Sequence, residues 1–194
     1  FSSVPAVYFL VVKNVSRRFG RLRVVRRISG GGAVLHGEDL TFSLTLPLPN
    51  PFFPSDVKTS YLRINEAVRV GLKDIHAAMD YADCRTVRPR KDPSAERICF
   101  EQPACYDLLL SGKKVLGSSQ RRIGRCFLHQ SSLFLPGDKE RLRNGILTGF
   151  ERQWKVSFEE RGLSDEELRE AGRLEEERYA SPEWALFRSL SFLS

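Results

Sequence analysis

The sequence predicts an α+β fold with a mixed or antiparallel sheet and packed helices, and three observations predict it. Short runs of strand-forming residues, punctuated by glycine and proline, fill much of the first two thirds. Apolar residues recur at helical spacing in two later stretches. A capping box, Ser164-x-x-Glu167, opens a helix near the end. Strands first and helices gathered late favour this class over a doubly wound sheet.

In chain order, residues 4–12 read as a buried strand and residues 23–43 as strand, glycine turn, strand, with Ser29-Gly30-Gly31-Gly32 as the turn. Pro47, Pro49, Pro51 and Pro54 interrupt the pattern. Leu62, Ala67, Val70, Leu72, Ile75 and Met79 then predict one amphipathic helix running to about Asp80. Residues 84–94 read as an exposed loop. Ile98-Cys99-Phe100 predicts a short strand, and Ser111-Gly112-Lys113 the turn of a hairpin. Residues 126–128 and 133–135 continue the sheet, and residues 139–154 form a helix with Leu142, Ile146, Leu147 and Phe150 on one face. Around the capping box, Leu163 and Leu168 take the staple positions, and Leu168, Ala171 and Leu174 are expected to face inward.

Composition narrows the function classes. No apolar run approaches the roughly 20 residues that span a bilayer, so no membrane segment is expected and a cytoplasmic location is the default. The four cysteines show no metal-ligand spacing, so no metal site is expected and they read as reduced thiols. Charge is polarised: residues 1–37 hold seven Lys or Arg and no Asp or Glu, whereas residues 151–194 are net acidic. No nucleic-acid-binding motif accompanies the basic half, so no nucleic-acid partner is expected.

The residues that could carry chemistry lie in two segments, RRISGGGAVLHG (26–37) and ICFEQPACYDLLLSGKKVLGSSQRR (98–122). The first fits neither a dinucleotide nor a phosphate-loop pattern, but sets Arg26, Arg27 and His36 around a glycine backbone able to approach a ligand. In the second, a strand would hold the Lys114 ammonium over the sheet, where it can polarise a carbonyl. Cys99 is either inert packing or a nucleophile, the latter needing Lys114 or a histidine such as His129 beside it. His76 reads as structural.

These segments, with GFERQWKV and RYASPEW farther on, resemble the biotin/lipoate protein ligase catalytic family, and within it the cysteine-dependent octanoyltransferases, from about Val24 to Trp184. The resemblance implies a fold related to the class II aminoacyl-tRNA synthetase core and a single catalytic domain over residues 1–194. That domain would be N-terminally incomplete relative to the family, with 139–194 its C-terminal helical region. It implies transfer of an octanoyl or lipoyl group from octanoyl-acyl carrier protein, through a thioester on Cys99, to a lysine of a lipoyl domain or a glycine-cleavage H-type protein. Lys114 would be the second catalytic residue. Arg26, Arg27, Gly30, Gly31, Gly32, Ala33 and His36 would line the substrate site from one segment; Gly117, Ser118 and His129 would line it from others. No cofactor is implied for the transferase, whereas an ATP-dependent lipoate–protein ligase would need ATP and Mg; a non-catalytic module binding carriers or lipoyl domains is the third reading. Where the family commonly reads Gln-His-Gly-Ser, this chain has His129-Gln130-Ser131-Ser132, and the family's His-Asp appears as His36-Gly37-Glu38-Asp39.

Overall fold

The structure, a computed structural model, describes residues 6–10 (backbone only), 26–30, 34–50, 53–54, 56–87, 100–181 and 184. Six strands form one sheet: β1 (Ala6–Leu10), β2 (Leu40–Pro47), β3 (Met79–Tyr81), β4 (Leu108–Leu110), β5 (Lys113–Ile123) and β6 (Cys126–Leu133). Their order is β1-β2-β6-β5-β4-β3 and every pairing is antiparallel, which agrees with the predicted class. Helices α1 (Val57–Gly71) and α2 (Lys139–Trp154) belong to the same compact unit, residues 1–15 and 29–158. A second unit, residues 16–28 and 159–194, contains α3 (Asp165–Leu174) and a short π-helical turn (Glu175–Tyr179).

Alternation along β2 sets the two faces of the sheet. Leu40, Phe42, Leu44 and Leu46 are buried while Thr41, Ser43 and Thr45 are half-buried on the other side. Directly paired residues share a face. Phe127, His129, Ser131 and Leu133 of β6 therefore join the buried row, with Leu116, Ser118 and Gln120 of β5 beside them. The core includes this row with Ile64, Ala67, Val68, Leu142, Ile146, Phe150 and Trp154 of the helices. Thr41, Ser132 and Gly117 form a row on the opposite face.

Helix starts follow local chemistry. Asp56 accepts from the Thr59 N–H at 2.8 Å and Asp138 from the Arg141 N–H at 2.9 Å, each satisfying a first-turn donor. The helix expected to reach Asp80 instead ends at Gly71, and Met79 is a strand residue opposite Leu110. One periodic apolar pattern had concealed two elements, because Leu72 and Met79 both enter the core, one from a helix cap and one from a strand. Gly71 is needed where it stands: a side chain on Gly71 or Gly149 would strike the backbone carbonyl of Gly145 or Ala67, so α1 and α2 approach almost backbone to backbone.

The hairpin is present, but its turn is only Ser111 (φ 51°) and Gly112 (φ 76°), both left-handed as a two-residue turn between right-twisted strands requires, while Lys113 already pairs with Leu110. The capping box is also present, Ser164 Oγ accepting from the Glu167 N–H and Glu167 Oε2 from the Ser164 N–H. The inward face expected of α3 is not. Leu163 and Leu168 are 48% and 53% exposed, Ala171 is exposed and no α3 residue is buried. Ion pairs of Arg173 with Glu170 and Glu177, and of Arg161 with Glu167, support the helix instead of packing.

The cysteine expectation is corrected as well, since Cys84 and Cys105 form a disulfide with Cα atoms 4.4 Å apart. The β3–β4 ladder carries on through Ala82 N–H to Asp107 O (2.8 Å) and Tyr106 N–H to Ala82 O (3.2 Å), which sets these cysteines opposite each other. Their separation of 21 residues has no sequence signature. Among the described residues no helix is long and apolar enough to cross a membrane, and no group of His, Cys, Asp or Glu is arranged to hold a metal.

The close helix contact predicts that Gly149→Ala lowers the urea-unfolding free energy by about 1–3 kcal/mol. Gly172→Ala, at an open position in α3, should be neutral or stabilising by up to about 1 kcal/mol.

Candidate active site

The side chains of greatest chemical interest gather at the start of β5. Leu108 pairs with Leu116 but Leu109 pairs with Lys114, so β5 carries one extra residue at this point. The bulge lets both Val115 and Leu116 enter the core and turns Lys114 to the opposite face. There its Nζ donates to Asp107 Oδ2 at 2.7 Å, and both side chains are 5% exposed. Asp107 Oδ2 also accepts from the Ala104 N–H at 2.6 Å. Burial pushes the Asp107 carboxyl above its ordinary range, against the opposing pull of the Lys114 ammonium and the Ala104 N–H.

Phe100 closes the arrangement. The Lys114 ammonium lies 5.3 Å from its ring centroid, and its ring stands edge-on to Phe134 at 4.6 Å. A Cβ on Gly117 would come within 2.8 Å of Phe100 Cζ and 3.2 Å of Lys114 Cε. Glycine at 117 thus makes room for the aromatic ring and the lysine stem together.

The glycine segment meets the same face one pair along, where Ser29 Oγ donates to Gln130 Oε1 at 2.6 Å and lies 2.8 Å from Ser119 Oγ. Gly30 follows with φ 74°. His36 Nδ1 donates to Asp39 Oδ2 at 2.8 Å, and Asp39 also accepts from the Gly37 N–H and the Thr41 hydroxyl. Burial alone would raise the Asp39 carboxyl, yet these hydrogen bonds hold it well below the usual carboxylate range.

Other expected site residues stand elsewhere. Ser118 and His129 are on the core face, and the structure does not bring them to Lys114. His129 is fully buried, with Gln120 Nε2 donating to Nδ1 at 3.2 Å and Nε2 donating to Ser131 Oγ at 2.6 Å, itself 2.7 Å from Ser118 Oγ. Burial pushes this imidazole down to about 3. His76 contacts the Pro136 carbonyl at 3.0 Å, in keeping with a structural part. Arg26 lies in the second unit, its guanidinium 4.9 Å from the Trp184 ring while Trp184 Nε1 donates to its carbonyl at 2.8 Å; Arg27 is half-buried. Cys99, Gly31, Gly32 and Ala33 lie outside the described residues, as does most of the loop expected at 84–94. Asp107 and Phe100 escaped the sequence reading, although a tight turn at Ser111-Gly112 folds residue 107 back toward residue 114.

The antiparallel sheet is backed by two helices on one face and carries the buried Lys114–Asp107 pair and the Ser29–Gly30 turn on the other. Residues 16–163 match the family described as lipoyl protein ligase A/B catalytic domain, and the chain belongs to that family. Among curated relatives, an octanoyltransferase LipM of Carboxydothermus hydrogenoformans is 30% identical, covering 86% of this chain and 74% of the relative. An octanoyltransferase LipM of Bacillus subtilis is 28% identical over 84% and 73%. Among solved structures, a lipoate-protein ligase A bound with ATP is similar with a TM-score of 0.65, at 20% identity over 84% of this chain and 72% of that one. A bipartite lipoate protein ligase from Thermoplasma acidophilum gives 0.62, at 20% identity over 86% and 72%. The expected fold and an enzyme of the octanoyltransferase class agree with these relatives.

Lys114→Met should destabilise the protein by about 3–5 kcal/mol, because Asp107 would remain buried without its cation. Adding Asp107→Asn should recover much of that loss in urea titrations. His129 gives a pH dependence of known sign. Its folded value lies below the unfolded one near 6.5, so its stability contribution is complete above that pH and is lost as pH falls toward 3. Unfolding free energy should drop by about 1.4 kcal/mol per pH unit over this window, with a shallower slope in His129→Gln.

Proposed function

We propose that this chain is an octanoyltransferase of protein lipoylation that carries the acyl group on Cys99. The carrying observation is the Lys114–Asp107 pair beneath Phe100, the residue that follows Cys99 in the chain. A buried, hydrogen-bonded ammonium on a strand is fixed in place, so it can favour a thiolate and stabilise developing negative charge without reorganising.

In this reading the Cys99 thiolate attacks the thioester carbonyl of octanoyl-acyl carrier protein. Lys114, with backbone amides near Gly31, Gly32 and Gly117, stabilises the oxyanion. The carrier thiolate leaves and takes a proton, and the acyl group remains on Cys99 as a thioester. A lysine amine of a lipoyl domain or an H-type protein then attacks that thioester, forming an amide and releasing the cysteine. The first step exchanges one thioester for another and the second turns a thioester into the more stable amide, so the reaction needs neither ATP nor Mg. A net charge of +7 suits encounter with acidic carriers and lipoyl domains.

Intact-protein mass spectrometry after incubation with octanoyl-acyl carrier protein, without ATP, tests this reading. Wild type should gain one octanoyl group and Cys99→Ala none, with transfer to an apo-lipoyl domain reduced by at least about 10³ in the variant. An adduct on Cys99→Ala would overturn the acyl-cysteine step. Lipoylation that appears only with ATP and free lipoate would reassign the chain to ligation.

A further inference from the structure

We infer that Asn65 of α1 is a positioning residue for the Lys114–Asp107 pair and acts through the Tyr106 carbonyl. Its bearing on turnover rests on the part given to Lys114 in the transferase reading above; its bearing on the geometry of the pair does not. Asn65 is fully buried on a helix face it shares with Ile64, Ala67 and Val68. Its Nδ2 donates to the Tyr106 carbonyl at 2.8 Å, while its Oδ1 has no hydrogen-bond partner among the described residues. An amide buried with only its donor used is costlier than a leucine of similar size, so packing alone does not account for asparagine at this position. What the side chain supplies is direction.

The bond is aimed at the segment that presents Asp107. Tyr106 has φ 68°, a left-handed backbone that a residue with a Cβ keeps only where its surroundings require it. The peptide joining Tyr106 to Asp107 is gripped at both ends, because Asn65 binds its carbonyl and its N–H donates to the Ala104 carbonyl at 3.0 Å. That N–H closes a turn in which the Ala104 N–H reaches back to Asp107 Oδ2 at 2.6 Å, and the same oxygen receives the Lys114 ammonium at 2.7 Å. Turning the peptide plane would break the bond to Ala104, and with it the turn that sets Oδ2 toward the lysine.

The segment is held from two layers. Tyr106 N–H and Asp107 O pair with Ala82 at the end of β3, which ties it to the sheet, and Asn65 ties it to the helices. The helix end of this link is stiff. Two positions along α1, the Ala67 carbonyl stands where a side chain on Gly149 of α2 would be, so the amide projects from a helix with little freedom to shift. Ser60 offers a contrast on the same helix. It is equally buried, but its hydroxyl donates to the Val57 carbonyl at 2.7 Å and to Gln120 Oε1 at 2.8 Å, on the core face of the sheet.

The test compares Asn65→Leu, which keeps the volume and removes the donor, with Ser60→Ala as a control that loses buried bonds from the same helix. Asn65→Ala is the second variant should the first fail to fold. The whole chain is acetylated with acetic anhydride and the rate at each lysine is read by peptide mass spectrometry; kcat and KM are measured for octanoyl transfer from octanoyl-acyl carrier protein to an apo-lipoyl domain. In the Asn65 variants Lys114 should be acetylated at least about 5 times faster, because local opening releases the pair, with the other lysines unchanged. Their kcat should fall about 10–100-fold while KM stays within about twofold. Acetylation of Lys114 at the wild-type rate would overturn the inference, as would an undiminished kcat beside an active wild type. Equal acceleration at every lysine, or the same acceleration at Lys114 in Ser60→Ala, would also overturn it as the mark of general loosening. Selective acceleration at Lys114 in a protein whose wild type transfers no octanoyl group would uphold the positioning of the pair and overturn the transferase reading.

Discussion

The two-residue period of three adjacent strands is the constraint on which everything else depends. Along β2, β6 and β5 each side chain must point to one face or the other, and pairing carries that choice from strand to strand. Phe42, Leu44, Phe127 and Leu133 commit one face to the helices. Thr41, Ser132, Gly117, Ser119 and Gln130 then have no option but the other, where the polar chemistry collects. A one-residue slip of β2 would turn Thr41, Ser43 and Thr45 into the core and Phe42 out onto the opposite face.

Lys114 is the place where this rule is broken locally. Strict alternation from Leu116 would bury the lysine among hydrocarbons at severe desolvation cost. The extra residue opposite the Leu108/Leu109 step reverses its direction, and Asp107 and Phe100 supply what water no longer can. The Cys84–Cys105 crosslink and the Ala82–Asp107 hydrogen bond tie the aspartate's corner to the end of β3. The position of the ammonium is therefore determined from several directions at once, which a preorganised electrostatic site requires.

What the sequence disclosed was local in origin. Ser111-Gly112 announced its turn because left-handed conformations favour such residues, and Ser164 with Glu167 announced a helix start because both hydrogen bonds close within one turn. The α2 span was legible from its apolar spacing. What escaped depended on partners distant in the chain. The Met79 strand exists because Leu110 pairs with it, and the disulfide exists because that ladder continues. The exposure of Leu168 reflects what does not pack on α3, which no periodicity can report. In the site, Lys114 and the glycine segment were visible as motifs. The separation of Ser118 and His129 from them onto the core face was not, since it rests on register. Asp107 required the hairpin to be folded before its relation to Lys114 emerged.

The near contact of α1 with α2 has a mechanical consequence. Helices that slide on one another do so over long, interdigitated side chains that can change rotamer; here Gly71, Gly145 and Gly149 leave backbone against backbone, with no such layer to shear. The pair behaves as a single stiff plate behind the sheet. Any adjustment on the opposite face, which carries Lys114 and Phe100, is therefore left to the turns and rings of that face and not to movement of the helices behind the sheet.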